Sequence, residues 1–336
     1  QQAGKQMYAA RLDGNEFALC STLIAADQAA AEQQAHQQIE AVLASLVAGY
    51  QLHGHTYPCK INVGMLTFCP RDIDNVGQLF KRAGLALLEA KRQRDGEPKR
   101  FCAALEQKLE EHLTLERELR LAIDSGALSL YLQAQVDAQH KVIGAEALVR
   151  WHHPQQGMIS PGRFIPIAEQ TGLILPLGAW VLKEGCRLLG EWQHDTRLRD
   201  LKLSLNVSVR QFQQPDFVEQ VTTTLHATGA PPERLTLELT ESLLMSDPEG
   251  TIDKMLRLRQ LGIRFALDDF GTGYSSLAYL KSLPLDTLKI DIAFVKDLTL
   301  DMQATPIAAT IIALAESLGL DVIAEGVETA DQSTVL

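Results

Sequence analysis

The residues of this chain best suited to chemistry stand at the ends of apolar runs, and the sharpest case is Asp268-Asp269. Phe265-Ala266-Leu267 reads as a buried strand that delivers two adjacent carboxylates and then breaks into Gly271-Thr272-Gly273. Isolated buried carboxylates are costly unless a cation pairs with them. A pair of divalent metal ions is the simplest such partner, because one bridging carboxylate can hold two hard cations together. Gly271-Thr272-Gly273 is not a phosphate fingerprint, since the third glycine is missing and no Lys-Ser/Thr follows.

Other strand-like runs supply the rest of such a centre. Side chains i and i+2 of a strand share a face. Glu146, Leu148 and Arg150 therefore lie together, and Ser204, Asn206 and Ser208 lie opposite Leu203 and Leu205. Glu238 lies opposite Leu235, Leu237 and Leu239, while Lys289 shares a face with Asp291, and Ile323 with Glu325. In a barrel the polar ends of such strands gather at the top, where active sites form. Glu146, Asn206, Glu238, Asp268 and Asp269, with Glu325, suit a pair of Mg²⁺ or Mn²⁺ ions, and a metal-bridged water would attack a phosphodiester. Asp268 and Asp269 point opposite ways in a regular strand; the exit into Gly271 is expected to turn the second carboxylate back.

The elements that must position these groups alternate from residue 128 onward. Strands are predicted at 128–136, 142–151, 201–208, 234–240, 263–269, 286–292 and 321–327, with helices at 178–192, 249–261 and 304–318. Repeated βα units build a parallel sheet covered by helices, and about 210 residues suffice for a (β/α)8-type TIM-like barrel. The earlier part reads as α+β: a hairpin over 7–24 turning at 12–15, a helix over 25–48 stopped by Gly49, a strand over 59–68 and a helix over 79–91. Phe101, Leu105, Leu109 and Leu113 repeat at helical spacing through 101–123. The expected organisation is a first domain over 1–100, a connecting helix over 101–125 and a second domain over 126–336.

Composition narrows the partners. The 336 residues are 46% hydrophobic and 22% charged, which is ordinary globular usage. A net charge of −11 argues against a DNA- or RNA-backbone binder but permits an anionic small substrate, because metal ions reverse the local field. No apolar run reaches the length of a bilayer span. Cys20, Cys59, Cys69, Cys102 and Cys186 never form Cys-x-x-Cys and read as reduced, mostly buried thiols. Reduced thiols make the cytoplasm the expected location, including as the cytoplasmic part of a larger, membrane-anchored protein. Asn206-Val207-Ser208 reads as buried strand rather than a glycosylation site, His152-His153 as loop histidines, and Trp180, Leu188 and Trp192 as core.

Glu146-Ala147-Leu148-Val149-Arg150 resembles the signature of EAL-domain phosphodiesterases, which open cyclic di-GMP to the linear dinucleotide. The resemblance continues through Ile165 to Glu169, Asn206 to Phe212, Glu238 to Ser242, Asp268 to Tyr279, Lys289 to Asp291 and Ala324 to Glu328. It implies metal ligands at Glu146, Asn206, Glu238, Asp268 and Asp269, and a Lys289 that orients the nucleophilic water. Glu325 would act as base or as a further metal-linked carboxylate. Gln133, Leu148, Arg150 and Glu328 correspond to substrate-contacting positions, and Glu241 to the acid that steadies the loop 268–279, a segment tied to homodimer formation. Two departures stand out. Gln133-Ala134 replaces the family's Gln-Pro pair, and the sequence stops at Leu336, before the strand that carries the family's Gln-Gly pair, so the natural protein is expected to continue.

The first domain resembles the C-terminal half of a GGDEF domain through Arg11 to Phe17, Asn62-Val63-Gly64 and Leu85 to Lys91. Asp13 replaces a glycine, Asn15 a metal carboxylate and Gly84 an aspartate, so no cyclase activity is expected, only a regulatory role. The resemblance thus implies a metal-dependent cyclic di-GMP phosphodiesterase with an inactive GGDEF-like regulator. The alternative is a non-catalytic cyclic di-GMP receptor acting through protein contacts.

Overall fold

The computed structural model describes residues 7–23, 25–47, 50–52, 55–57, 60–69, 71, 75–93, 95–241, 243, 247–271, 280–296 and 304–336. Two units divide the chain, Gln1–Leu113 and Thr114–Leu336. In the first, β1 (Met7–Asp13) and β2 (Glu16–Ser21) form the expected antiparallel hairpin, with Gly14 taking a positive φ of 43° at the turn. Then come α1 (Gln28–Val47), β3 (Tyr50–Leu52), β4 (His55–Tyr57), β5 (Gly64–Met65), α2 (Val76–Gln93) and β6 (Lys99–Arg100). The strand predicted over 59–68 is reduced to β5, which pairs parallel with β6. Cys59 and the expected helix stop Gly49 lie outside the described residues.

The helix α3 (Ala103–Ser125) begins in the first unit and ends in the second. Its buried residues are Leu115, Leu119 and Ala122, whereas Leu113 of the predicted stripe is exposed. The second unit continues with β7 (Leu128–Val136), β8 (Val142–His153), β9 (Gly157–Ile159), α4 (Pro161–Thr171), α5 (Ile174–Trp192), β10 (Lys202–Asn206), α6 (Val209–Phe212), α7 (Phe217–Thr228) and β11 (Leu235–Thr240). It closes with α8 (Pro248–Gln260), β12 (Arg264–Phe270), β13 (Thr287–Ile290), α9 (Ile292–Lys296), α10 (Ala304–Leu318), β14 (Asp321–Ala324) and α11 (Ala330–Val335).

The strands form one curled sheet of TIM-barrel type, in the order β14-β13-β12-β11-β10-β8-β7, with β9 added to β8. From β8 through β14 along that path the pairing is parallel, as the βα repetition predicts. The β7–β8 pair departs from it and is antiparallel, because residues 137–141 are too few for a crossover. Asp137 tightens that turn, its Oδ1 accepting the Lys141 amide at 2.9 Å.

Outward-facing leucines such as Leu203, Leu205, Leu235 and Leu237 are buried with apolar residues of α5, α7, α8 and α10 in one core. Trp192 is buried there, with Trp180 and Leu188 packed against it, as expected of that helix. The cysteine expectation needs correction: of the described thiols only Cys186 is buried, and Cys20, Cys69 and Cys102 are exposed. Burial alone pushes the Cys186 thiol up to about 12. The α5–α7 contact is close at Gly190, where an added Cβ would lie 2.4 Å from the Thr228 carbonyl oxygen. A backbone atom cannot swing aside, so Gly190→Ala should cost about 1–3 kcal/mol, read as a lower urea midpoint.

Candidate active site

The Asp268-Asp269 pair owes its geometry to an irregularity in β12. The register against β13 shifts between Leu267 and Phe270, and Asp269 adopts a positive φ of 54°. Asp is one of the few non-glycine types that visits this left-handed region. The reversal expected at Gly271 therefore starts two residues earlier, and Gly271, at φ 99°, continues it. A Cβ at Gly271 would lie 2.8 Å from the Phe294 ring, so only glycine fits. Both carboxylates consequently face one side, where Asp268, Asp269 and Glu325 bring oxygens within 4.8 Å of one another.

Lys289 stands among these acids. Its side chain is 1% exposed, and its Nζ lies 2.5 Å from Glu238 Oε2, 2.5 Å from Glu325 Oε1, 3.0 Å from Asp268 Oδ1 and 3.3 Å from Glu146 Oε2. The parallel registers set this up by pairing Ser204 with Glu146, Asn206 with Glu238, Thr240 with Asp268 and Lys289 with Ile323. Asn206 Nδ2 donates to the other Glu146 oxygen at 2.7 Å.

The electrostatics are those of crowded negative charge. Burial opposes the Lys289 charge, but Glu238, Asp268 and Glu146 outweigh it and raise the ammonium above its ordinary range. Burial, reinforced by Glu146 and Asp268, pushes Glu238 up to about 7 although Lys289 pulls the other way. Asp269 is pushed up to about 6 by burial, by Asp268 and by a hydrogen bond with Asp291. Glu325 is raised, chiefly by burial.

The donor set suits hard cations. Glu238 Oε1 is buried without a hydrogen-bond partner among the described residues, so its lone pairs await a positive group. Glu146, Glu238, Asp268, Asp269 and Glu325 carry five formal negative charges against the one ammonium, an excess that a pair of divalent ions would cancel.

The remaining expected residues lie on β7, β8 and the segments after β11 and β14. Across the β7–β8 ladder Gln133 faces Glu146, Tyr131 faces Leu148 and Ser129 faces Arg150. Glu328 is exposed on the segment after β14, its amide held by Gln332 Oε1 at 2.8 Å. Glu241 Oε1 accepts the Gly271 amide at 3.1 Å, which ties it to the exit of β12, while the loop residues 272–279 lie outside the described residues.

Two polar groups escaped the sequence reading of the site. Asp291, seen only as sharing a face with Lys289, hydrogen-bonds Asp269. Gln332 is buried, accepts the Glu328 and Thr329 amides, and donates to the carbonyls of Val295 and Lys296. Its one sequence signal is the Thr-x-x-Gln spacing of a capping box. The loop reading of His152-His153 is corrected, since both end β8. His153 is buried against Glu118 at 3.1 Å, and its other ring nitrogen accepts the Gln155 and Gln156 amides, which makes it structural.

A lysine ringed by carboxylates at the C-terminal rim of a TIM-type sheet defines a barrel protein with an acidic centre built for cations. The chain belongs to the EAL-domain family: residues 116–336 match the family model described as "EAL domain". Residues 1–97 match the model described as "Diguanylate cyclase, GGDEF domain". Among curated relatives, the bifunctional diguanylate cyclase/cyclic di-GMP phosphodiesterase MucR of Pseudomonas aeruginosa is 38% identical over 97% of this chain and 47% of its own length. The cyclic di-GMP phosphodiesterase NbdA of the same organism is 37% identical over 97% of this chain and 41% of its length. The chain thus spans about half or less of the curated relatives it matches. A solved structure described as the PaMucR phosphodiesterase in complex with c-di-GMP is 42% identical, with a TM-score of 0.64 over 66% of this chain and 90% of the other. The EAL domain of Mycobacterium smegmatis DcpA is 37% identical, with a TM-score of 0.53 over 63% of this chain and 85% of the other.

Proposed function

We propose that the chain hydrolyses cyclic di-GMP to the linear dinucleotide at the centre around Lys289, with a pair of Mg²⁺ or Mn²⁺ ions. The observation that carries this reading is the buried Lys289 ammonium shared by four carboxylates, beside the unpartnered Glu238 oxygen. The names of MucR and NbdA support the substrate. When bound, divalent ions polarise the phosphodiester and make bound water a nucleophile near neutral pH.

The chain's own residues do the rest. Glu146, Asn206, Glu238, Asp268 and Asp269 hold the ions, and the Asn206 bond fixes the Glu146 carboxylate in one orientation. Lys289 supplies fixed positive charge where negative charge develops on the phosphoryl oxygens, and it orients the attacking water. Glu325 reaches both Lys289 and the Asp268-Asp269 pair, so it can hold an ion or take the proton of that water. Gln133, Leu148, Arg150 and Glu328 contact the dinucleotide, and Glu241 steadies the exit of β12. The first unit acts as a regulator without cyclase activity. Its hairpin carries Asp13 and Asn15, and its Glu16 carboxylate is engaged by Lys91 at 2.6 Å. Homodimer formation through the second unit and a cytoplasmic setting complete the reading.

Glu146→Gln keeps the size and the Asn206 partner of the side chain but removes the charge. It should lower kcat by about a hundredfold or more with little change in melting temperature, read by chromatography of the linear dinucleotide. Wild-type turnover in this variant would rule the mechanism out.

A further inference from the structure

The β7–β8 hairpin overhangs the carboxylate centre. β10 accompanies β8 only as far as Ala147, whereas β7 stays paired with β8 up to Leu128 opposite Trp151. Residues 148–153 therefore rise past the rim as a wall in which β8 is flanked by β7 and, over Trp151–His153, by β9. Alternation and cross-strand pairing put Ser129, Tyr131 and Gln133 on the same face as Glu146, Leu148, Arg150 and His152. That face looks over the centre, because Glu146 reaches Lys289 from it.

Tyr131 is 46% exposed on this wall, and two neighbours order its ring. The Arg150 guanidinium lies 5.6 Å from the ring centroid and is itself anchored by donating to the Val149 carbonyl at 2.9 Å. The His152 ring lies 5.9 Å away, tilted by 39°, and its Nε2 is 2.9 Å from Ser129 Oγ. Behind the wall, Trp151 is buried edge-on to Phe164, so the ladder has firm backing. An open aromatic ring flanked by a cation, on a rigid ladder rather than a loop, is a platform for another flat ring. Tyr131 sits opposite Leu148, two residues or about 7 Å along the strand from Glu146, which is within a nucleoside's reach of a phosphodiester held at the centre.

We propose that Tyr131, ordered by His152 and Arg150, is a stacking shelf for a purine base of the bound dinucleotide; the inference rests on the substrate reading above. The test compares KM and kcat for cyclic di-GMP in Tyr131→Ala, Tyr131→Phe and His152→Ala. Loss of the ring should raise KM about tenfold while kcat moves less than about twofold. Tyr131→Phe should stay within about twofold of wild-type KM, since the face and not the hydroxyl does the stacking, and His152→Ala should raise KM less than Tyr131→Ala. A wild-type KM in Tyr131→Ala, with turnover intact, overturns the shelf and leaves the phosphodiesterase standing. If the chain binds cyclic di-GMP without cleaving it, the same tenfold change in Kd by calorimetry supports the shelf and an unchanged Kd overturns it. A chain that neither binds nor cleaves it overturns both.

Discussion

Lys289→Met should lower kcat for cyclic di-GMP about a hundred- to thousandfold and should also destabilise the second unit. The first effect follows from position. The ammonium is the one cation within 2.5–3.3 Å of four carboxylates among the described residues, so it is the fixed charge nearest the reacting centre. The second effect follows from burial. With the side chain 1% exposed, removing the charge leaves Glu238, which is fully buried, and Glu146, Asp268 and Glu325 without their common partner. Breaking a buried ion pair by deleting one member costs about 3–5 kcal/mol. Urea unfolding in the presence of EDTA should show that loss, and added Mg²⁺ should recover part of it, because divalent ions neutralise the same oxygens. Methionine matches the length of the aliphatic stem, so the comparison isolates charge from packing. Wild-type turnover, or a variant as stable as wild type in EDTA, would contradict this account of the centre.

Strand alternation made much of the site legible. Asn206, Glu238 and Lys289 each sit opposite the leucines or isoleucines of their own strand and Glu146 opposite Ala145 and Ala147, and the parallel registers then bring them together. What alternation cannot convey is a break in itself. Asp269 leaves the regular pattern through a positive φ and a register shift, and no composition signal separates that from a straight strand end. The gathering of polar strand ends at the barrel top was expected, but alternation alone does not give the direct pairing of Lys289 with carboxylates from four other segments.

The misread regions have their own physical reasons. The antiparallel β7–β8 pair was encoded in the short connection 137–141, which outweighs the βα repetition around it. His152 and His153 extend β8 because β7 and β9 both pair with its end, a tertiary contact that the dipeptide does not announce. The exposed Cys20, Cys69 and Cys102 lie in short or irregular segments, where small apolar character does not force burial.

Withdrawal of metal should have an effect as large as loss of Lys289. With five carboxylates around one ammonium, nothing among the described residues balances the centre, and Glu238 Oε1 has no partner there. Cyclic di-GMP turnover should therefore fall at least about a thousandfold in EDTA and return when Mg²⁺ or Mn²⁺ is added in excess. That titration, with the linear dinucleotide quantified at each metal concentration, decides whether the carboxylate centre works through bound ions. Product should rise with metal and vanish with chelator. Product formation indifferent to EDTA, or tight binding with no product at saturating Mg²⁺ and Mn²⁺, would contradict it.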